Sequence, residues 1–321
     1  VSRALNDHPD VSPQTKEKIK RIVEENRFVP NTNAKHLKQQ VSNTIIVVVK
    51  GSFNLFFAAI VEKIQAGISQ AGYGLIIHYL DENDNEVRVA EQLCRENKPR
   101  GVLFLGGEPR HFIKRFSAIN VPCVLATTSA EELPFENLSS VAVDDQDGGY
   151  RAIQYLVEMG HRKIGIISGC VDASAVSALR MEGCKAALRA SGIPYRKQYC
   201  RYVAFSPKEG YLAAQDLLRE NPELTAIFAM SDMTAFGAIR AIREKGLRVP
   251  EDISVVGYDG IEMAEYFQPA LTTLKQPAEA IADQSVRMLL DAVERTVTSR
   301  HLRLETSLVQ GRSVLQRPSS D

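Results

Sequence analysis

The stretch "TIIVVV" at residues 44–49 is apolar at every position after Thr44. A continuous apolar run of this length is typical of a strand buried on both faces, which a parallel sheet requires. Six further near-continuous runs follow: "GLIIHYL" (74–80), "GVLFLG" (101–106), "VPCVLA" (121–126), "KIGIISG" (163–169), "AIFAMSD" (226–232) and "ISVVGYD" (253–259). Helical patterns lie between these runs, so the alternation predicts an α/β fold with doubly wound parallel sheets.

The number of predicted strands indicates more than one sheet. The series also restarts near "EMGHRKIGIISG" (158–169), which indicates two similar α/β lobes. Ligands of such sheets bind beyond the carboxyl ends of the strands. Two facing lobes would therefore place these ends around a common cleft.

The first 43 residues follow a different, helical pattern. Val1, Ala4 and Leu5 have the spacing of one helical turn, and Ser12-Pro13 predicts the N-cap and first residue of another helix. These helices are too small to bury a core alone. We therefore expect a partner helix upstream, and the lack of an initiator methionine likewise indicates a fragment.

Charge is unevenly distributed along a chain that has no net charge. Residues 1–50 carry +4 and the remainder −4. A basic head on an acidic body indicates an anionic partner, most commonly nucleic acid. An ordinary solvated surface is the alternative.

Several classes of protein are disfavoured by composition and motifs. The five cysteines form no C-x-x-C pair and the six histidines no ligand spacing, which favours free thiols in a reducing cytoplasm and no metal or cofactor. No apolar run reaches the ~18 residues of a membrane span. The chain shows no signal peptide, no G-x-S-x-G elbow and no phosphate loop, so we predict a non-enzyme.

Six segments, in order, resemble the LacI/GalR family of bacterial transcription regulators over about residues 1–313. They are "VSRALNDHPDVSPQTKEKIKRIVEENRFVPNTNAKHLK", "SFNLFFAAIVEKIQAGISQAGY", "RGVLFLGG", "VAVDDQDGGYRAIQYLVEMGHRKIGIISG", "AMSDMTAFGAIRAIREKGLRVPEDISVVGYDG" and "FQPALTTLKQP". The resemblance implies two Rossmann-like lobes, as in periplasmic binding proteins, behind a partial all-α helix-turn-helix head. The implied bounds are 1–30 for the head, 31–43 for the hinge helix, 44–159 plus 277–304 for the first lobe, and 160–274 plus 305–313 for the second.

The resemblance also implies DNA contacts. Arg3, beside Ser2 in the recognition helix, matches a position that commonly contacts a base; an exposed helix-end cation is the alternative. Positions matching phosphate contacts are Asn6, Ser12, Thr15 and Asn31. Each is also a natural cap or turn residue, and the two roles are compatible.

Leu37 matches the leucine of the family's hinge helix, which forms on DNA and wedges into a central base step from the minor groove. The run "NAKHLKQQ" (33–40) is shorter than the ~12–15 residues that a stable helix in water needs. Folding on DNA would resolve this, since an apolar wedge gains contacts by kinking the duplex. A flexible linker with an incidental leucine is the alternative.

Effector contacts are implied at the carboxyl ends of the strands. Arg180 matches the arginine that grips effectors, and its planar fork suits vicinal hydroxyls or a carboxylate. Asp232 and Asp259 suit paired sugar hydroxyls, although either could serve as a helix cap or turn residue. Phe56 and Phe57 both match positions where the family places aromatic rings over the ligand; Phe56 is the better pocket candidate, because Phe57 shares the apolar stripe of its helix and core packing is its alternative role. The remaining matches are Phe205, for ring stacking, and Asp147, a weaker contact.

We therefore predict a dimeric repressor of a carbohydrate-utilisation operon. Its expected partners are a pseudo-palindromic operator, a sugar or sugar phosphate, and a second copy of the chain. The family's tetramer-forming leucine heptads are missing, and Arg180 favours a small effector over a phosphocarrier protein. "NLFF" (54–57) replaces the usual "NPFF", so the helix entry there is expected to differ.

Three alternatives stay open at this point. An extracytoplasmic sugar-binding protein would share the lobes but has no use for residues 1–40. An enzyme on the same frame lacks a recognisable motif. A regulator with a purine or protein co-effector would also accept stacking aromatics.

Overall fold

The structure, a computed structural model, describes residues 12–25, 42–51, 54–172, 174–295 and 298–318. Contacts divide the chain into two units, with the boundary between Ser42 and Asn43. The two units are described separately.

The first unit contains helix α1 (Pro13–Glu25). The Ser12 hydroxyl accepts a hydrogen bond from the Thr15 amide at 3.3 Å, and the two side-chain oxygens lie 2.8 Å apart. The Ser12-Pro13 start is thus confirmed as an N-cap followed by proline. The predicted DNA contacts outside the described residues are Ser2, Arg3, Asn6, Asn31 and Leu37.

The second unit alternates strands and helices, and every predicted run forms a strand. The strands are β1 (Thr44–Lys50), β2 (Gly74–Leu80), β3 (Gly101–Leu105), β4 (Cys123–Ala126), β5 (Leu138–Val143), β6 (Ile164–Ser168), β7 (Cys200–Tyr202), β8 (Ala226–Ala229), β9 (Ser254–Asp259), β10 (Thr272–Lys275), β11 (His301–Leu304) and β12 (Ser307–Val309). The helices are α2 (Leu55–Gln70), α3 (Glu86–Asn97), α4 (Pro109–Arg115), α5 (Asp145–Glu158), α6 (Ala175–Ala190), α7 (Pro207–Glu220), α8 (Asp232–Glu244), α9 (Met263–Tyr266) and α10 (Ala278–Glu294).

The strands form two six-stranded sheets, as the restart in the sequence predicts. Their orders are β11-β5-β4-β3-β1-β2 and β12-β10-β9-β8-β6-β7. All neighbouring strands are parallel except β10 and β12. We call the elements packed around the first and second sheets the first and second lobes.

Both faces of each sheet are buried. In β1, Ile45, Val47 and Val49 pack in one apolar cluster, while Ile46 and Val48 pack in another on the opposite face. Strand β1 therefore needs apolar residues at every interior position, which explains the unbroken run that begins at Thr44.

Helix α5 packs on the second sheet. Its buried residues Ala152, Ile153 and Leu156 share a cluster with Ile164 and Ile166 of β6. The change of lobe therefore occurs near Asp144, earlier than the predicted boundary at residue 159. The boundary was predicted from the apolar strand β6, the first strand of the second lobe. Helix α5 already belongs to that lobe but comes before β6 in the chain, so the prediction fell too late. The other predicted bounds stay predictions.

The chain passes between the lobes at three places among the described residues. These are Asp144, between β5 and α5; Gln276-Pro277, between β10 and α10; and Glu305-Thr306, between β11 and β12. Arg151 of α5 donates a 2.7 Å hydrogen bond to the Thr306 carbonyl, which ties two of these connections together.

A buried histidine anchors the segment after β12. The His161 imidazole is fully buried, with Nε2 3.1 Å from the Leu315 carbonyl and Nδ1 3.0 Å from the Thr225 hydroxyl. Nε2–H donates to the carbonyl, and Nδ1 can accept from the hydroxyl. This arrangement suits the neutral ring, and burial lowers the pKa of His161 to about 4.

We expect His161 to make the fold acid-sensitive. Its folded pKa of about 4 lies below the ordinary value of 6.5, so the unfolded chain takes up the proton first. The stability that His161 contributes is thus present above pH 6.5 and lost as the pH falls towards 4. Urea denaturation should show that His161→Gln removes on the order of 2 kcal/mol of this pH dependence.

The matched control is His78→Gln, a change at an exposed histidine of β2. It should leave the acid dependence of unfolding unchanged. Equal pH profiles for the wild type and His161→Gln would contradict the assignment.

Candidate functional site

A cleft of about 310 Å³ lies between the lobes at the carboxyl ends of the strands, where the fold predicts it. Its volume is at the lower end of the range for small-ligand pockets, roughly 300–1,000 Å³. The first-lobe lining includes Lys50, Asn54, Phe57, Glu82, Glu108, Thr127 and Thr128, and the second-lobe lining includes Ser174, Ser177, Arg180, Phe205 and Asp259.

Arg180, on α6, is the buried cation of the cleft and is 5% exposed. Its Nε donates to Asp145 Oδ1 at 2.7 Å, and its Nη1 donates to the Met230 carbonyl at 2.9 Å. The guanidinium lies 3.8 Å from the centroid of the Tyr258 ring, a cation–π contact. These contacts use two of the five N–H donors and fix the plane of the fork for a ligand.

Two glycines allow this arrangement by bringing helices α5 and α6 together. A Cβ atom on Gly149 would collide with the Arg180 carbonyl, and one on Gly183 would collide with the Gln146 carbonyl. The helices therefore meet backbone to backbone. This approach places Asp145, at the start of α5, within hydrogen-bond distance of Arg180.

Asp259 ends β9 and points its carboxylate at the cleft. Its backbone φ of +112° is uncommon for a residue with a side chain. Gln276 makes two hydrogen bonds to Asp259. Its side-chain Nε2 donates to Oδ1 at 2.8 Å, and its backbone N–H donates to the Asp259 carbonyl at 3.0 Å. Burial raises the pKa of Asp259 above the usual aspartate range, and the charge of Arg180 opposes the shift.

Phe56, Phe57 and Phe205 all line the cleft, but Phe57 rather than Phe56 is the more exposed of the two adjacent phenylalanines. Phe56 is 3% exposed and belongs to the core of the first lobe, in line with Ile60 and Ile64. Phe57 is half-buried and lies against Gly106, while Phe205 is half-buried in the second lobe. At the first turn of α2 both phenylalanines face the apolar side, so the spacing alone could not rank them.

Two predicted carboxylates are displaced from the ligand space. Asp232 is fully buried and does not line the cleft: Oδ1 accepts from Thr273 Oγ1 at 2.6 Å and Oδ2 from the Ile261 amide at 2.9 Å. It therefore supports the turn after Asp259. Asp147 lies on the exposed face of α5, 3.8 Å from Arg151. The buried carboxylate of this helix is Asp145, a residue that the sequence reasoning missed.

A second missed cluster lies on the first-lobe side. The fully buried Glu86 accepts hydrogen bonds from Lys50 Nζ at 2.8 Å, from the Glu108 amide at 2.6 Å and from His111 Nδ1 at 2.9 Å. Burial raises the pKa of Glu86, but these donors outweigh it and the net shift is downward. Its charge therefore balances that of Lys50. Glu86 begins a helix and lies far in sequence from all three partners, so the hydrophilic run "DENDNE" (81–86) was the only signal of a site there.

Three other features of the described residues bear on function: the exposure of the cysteines, the grouping of metal-ligating side chains, and the length and apolarity of the helices. Four of the five free cysteines are at least partly buried, and Cys170 is exposed. No group of His, Cys, Asp or Glu within the described ranges is arranged to hold a metal ion. Among the same residues, no helix has both the length and the apolarity needed to cross a bilayer.

Of the predicted DNA contacts, Ser12 and Thr15 lie in the described part of the chain. Both are exposed, and their mutual hydrogen bond at the start of α1 confirms the capping role. Their contact with phosphate stays a prediction.

Known proteins are similar to this chain over nearly its whole length. A family model described as a periplasmic binding protein-like domain matches residues 153–314. The HTH-type transcriptional regulator MalR of Clostridium butyricum is 34% identical over 97% of this chain and 93% of its own. A complex of the transcriptional regulator CelR with cellobiose is 31% identical, with a TM-score of 0.75 over 97% of this chain and 94% of the other. The lac repressor dimer bound to operator and the anti-inducer ONPF is 28% identical, with a TM-score of 0.82 over 98% and 94%.

We expect Gly183→Ala to disrupt the arginine site from a distance. The new methyl group would collide with the Gln146 carbonyl, so α5 and α6 must separate and carry Asp145 away from Arg180. Urea denaturation should show a loss of about 2 kcal/mol. The neighbouring change Glu182→Ala, at an exposed residue of α6, is the control and should cost less than about 1 kcal/mol. Equal unfolding midpoints for the two variants would refute the packing argument.

Proposed function

The chain belongs to the LacI/GalR family of bacterial transcriptional regulators, and we propose that it is a repressor of a carbohydrate-utilisation operon. In this proposal it binds a pseudo-palindromic operator as a homodimer, and a sugar in the cleft sets its affinity for DNA. The match to MalR covers 97% of the chain and so includes most of residues 1–42, which supports the DNA-binding part.

The observation that carries the effector proposal is that Arg180 and Asp259 both line the cleft. A carboxylate can accept hydrogen bonds from adjacent hydroxyls of a sugar, and the remaining guanidinium donors can bind its ring or hydroxyl oxygens. Phe57 and Phe205 offer apolar faces on opposite lobes for the C–H faces of a pyranose. Such a mixture of apolar walls and a few fixed polar groups is typical of ligand pockets.

Effector and operator binding are then coupled through the lobes. A sugar that bridges Asp259 of the second lobe and the polar residues of the first would favour one arrangement of the two. The coupling is reciprocal, so a sugar that weakens operator binding must itself bind more weakly to the protein–DNA complex.

We propose a non-catalytic role in the cytoplasm. Regulator names among the relatives and the lack of a recognisable catalytic motif support it. The similarity of the head to DNA-binding relatives also favours a regulator over an extracytoplasmic sugar-binding protein.

We expect Asp259→Asn to abolish the response to effector while leaving the fold and DNA binding intact. Asparagine tolerates the positive φ and keeps the shape, but it cannot accept hydroxyl protons on both side-chain atoms. A thermal-shift screen of sugars and nucleobases would identify the ligand, because binding to the native state raises its melting temperature.

Calorimetry should then show an affinity at least about tenfold weaker for Asp259→Asn. Asp147→Asn, on the exposed face of α5, is the matched control and should bind as the wild type does. Normal sugar affinity in Asp259→Asn would defeat the assignment. If the screen raises the melting temperature with nucleobases alone, the sugar proposal fails.

We expect Leu37→Ala to weaken operator binding and reduce DNA bending. The change removes the apolar wedge of the proposed hinge helix, so we expect the affinity for the operator to fall about tenfold. An operator selected from random DNA would be assayed by mobility shift and circular permutation. Leu37→Met keeps an apolar wedge and should retain most of both. Unchanged affinity and bending in Leu37→Ala would favour the flexible linker.

A further inference from the structure

The first turn of helix α6 opens on the cleft. Ser174, Val176 and Ser177 line the cavity there, and Arg180 lies one turn further along the helix. A helix N-terminus presents unpaired N–H groups and the positive end of the helix dipole. Together with an arginine, it is the natural place for a phosphate group in this cleft.

A carboxylate of the protein already occupies this place. Glu108 follows β3 in the first lobe, and its Oε2 accepts a 3.0 Å hydrogen bond from the amide of Ala175, at the start of α6. The Glu108 side chain is 13% exposed and lines the cleft. An incoming phosphate would therefore meet a negative charge where it needs a donor.

The position of Glu108 is fixed from its own lobe. The Glu108 amide donates to Glu86, which is held by Lys50 and His111. Arg110, 3.8 Å from the Glu108 carboxylate, donates to the Asp172 carbonyl at 2.8 Å and does not line the cleft. The two lobes are thus linked twice beside α6, and the backbone of Glu108 is held in place by the buried Glu86.

The charges of the cleft also disfavour a phosphate group. Its described lining contains two cations, Lys50 and Arg180, and three carboxylates, Glu82, Glu108 and Asp259. Each cation has a carboxylate within hydrogen-bond distance: Lys50 lies 2.8 Å from Glu86 and Arg180 lies 2.7 Å from Asp145. A phosphorylated ligand would therefore gain no unpaired cation and would face an excess of negative charge.

We infer that Glu108 is a specificity-determining residue that makes the cleft select uncharged sugars and reject phosphorylated ones. The inference rests on the proposed effector role of the cleft and narrows the ligand class from a sugar or sugar phosphate to a neutral polyhydroxylated ring compound. Glu108 acts as a built-in substitute for the anion and satisfies the helix terminus that a phosphate would otherwise use.

The test compares inorganic phosphate, glucose 6-phosphate and glucose as ligands of the full chain at constant ionic strength. Calorimetry should detect no binding of either phosphate compound to the wild type. Glu108→Ala vacates the helix terminus and should bind inorganic phosphate measurably, at least about tenfold more tightly than the weakest binding that the same titration could detect in the wild type. Glu108→Gln, which keeps an acceptor for Ala175 without the charge, should show a smaller gain.

The control is Glu132→Gln, the same loss of charge at an exposed residue outside the cleft. It should gain nothing. The inference is overturned if wild-type protein binds glucose 6-phosphate more tightly than glucose, or if both Glu108 variants fold and gain no phosphate affinity. These results leave the proposed regulator intact, whereas failure of every neutral sugar in the thermal-shift screen would count against the proposed effector itself.

Discussion

The backbone contact between α5 and α6 is the constraint on which the second-lobe side of the cleft depends. Because Gly149 and Gly183 carry no side chains, the two helices approach closely enough for Asp145 to hold Arg180. The same solution occurs between α7 and α8, where Cβ atoms on Gly210 or Gly237 would collide with backbone carbonyls. Both pairs cover the second sheet, and both leave the strand ends above them free to form the cleft.

Charge in the cleft serves orientation more than stability. Taking an ion pair such as Arg180–Asp145 out of water costs about as much as the attraction returns, so its retention argues for a role in positioning. Glu86 plays the equivalent part in the first lobe for Lys50 and the Glu108 backbone. Each lobe thus brings a prearranged set of polar groups to the ligand, and little reorganisation remains when it binds.

The sequence predicted the architecture well because two-sided burial leaves an unmistakable mark on a strand such as β1. The family resemblance located Arg180, Phe205 and Asp259 at the cleft: Phe205 and Asp259 lie at or just after strand ends, and Arg180 lies near the start of α6. It failed where helical phase decides: Asp147 and Asp145 differ by two residues and lie on opposite sides of α5. It also missed Glu108, because its contact with Ala175 joins residues 67 apart across two lobes. Pair contacts of this kind follow from tertiary packing and have no local signature.

The three passages of the chain between the lobes have a consequence for signalling. Three covalent connections, two of them tied by Arg151 and Thr306, resist sliding and twisting of one lobe against the other. Opening and closing is the motion that they leave available. In the proposed regulator, the chemical structure of the bound sugar would then be expressed as a single variable, the angle between the lobes. Ligands of different structure that produce the same angle would therefore be indistinguishable to the DNA.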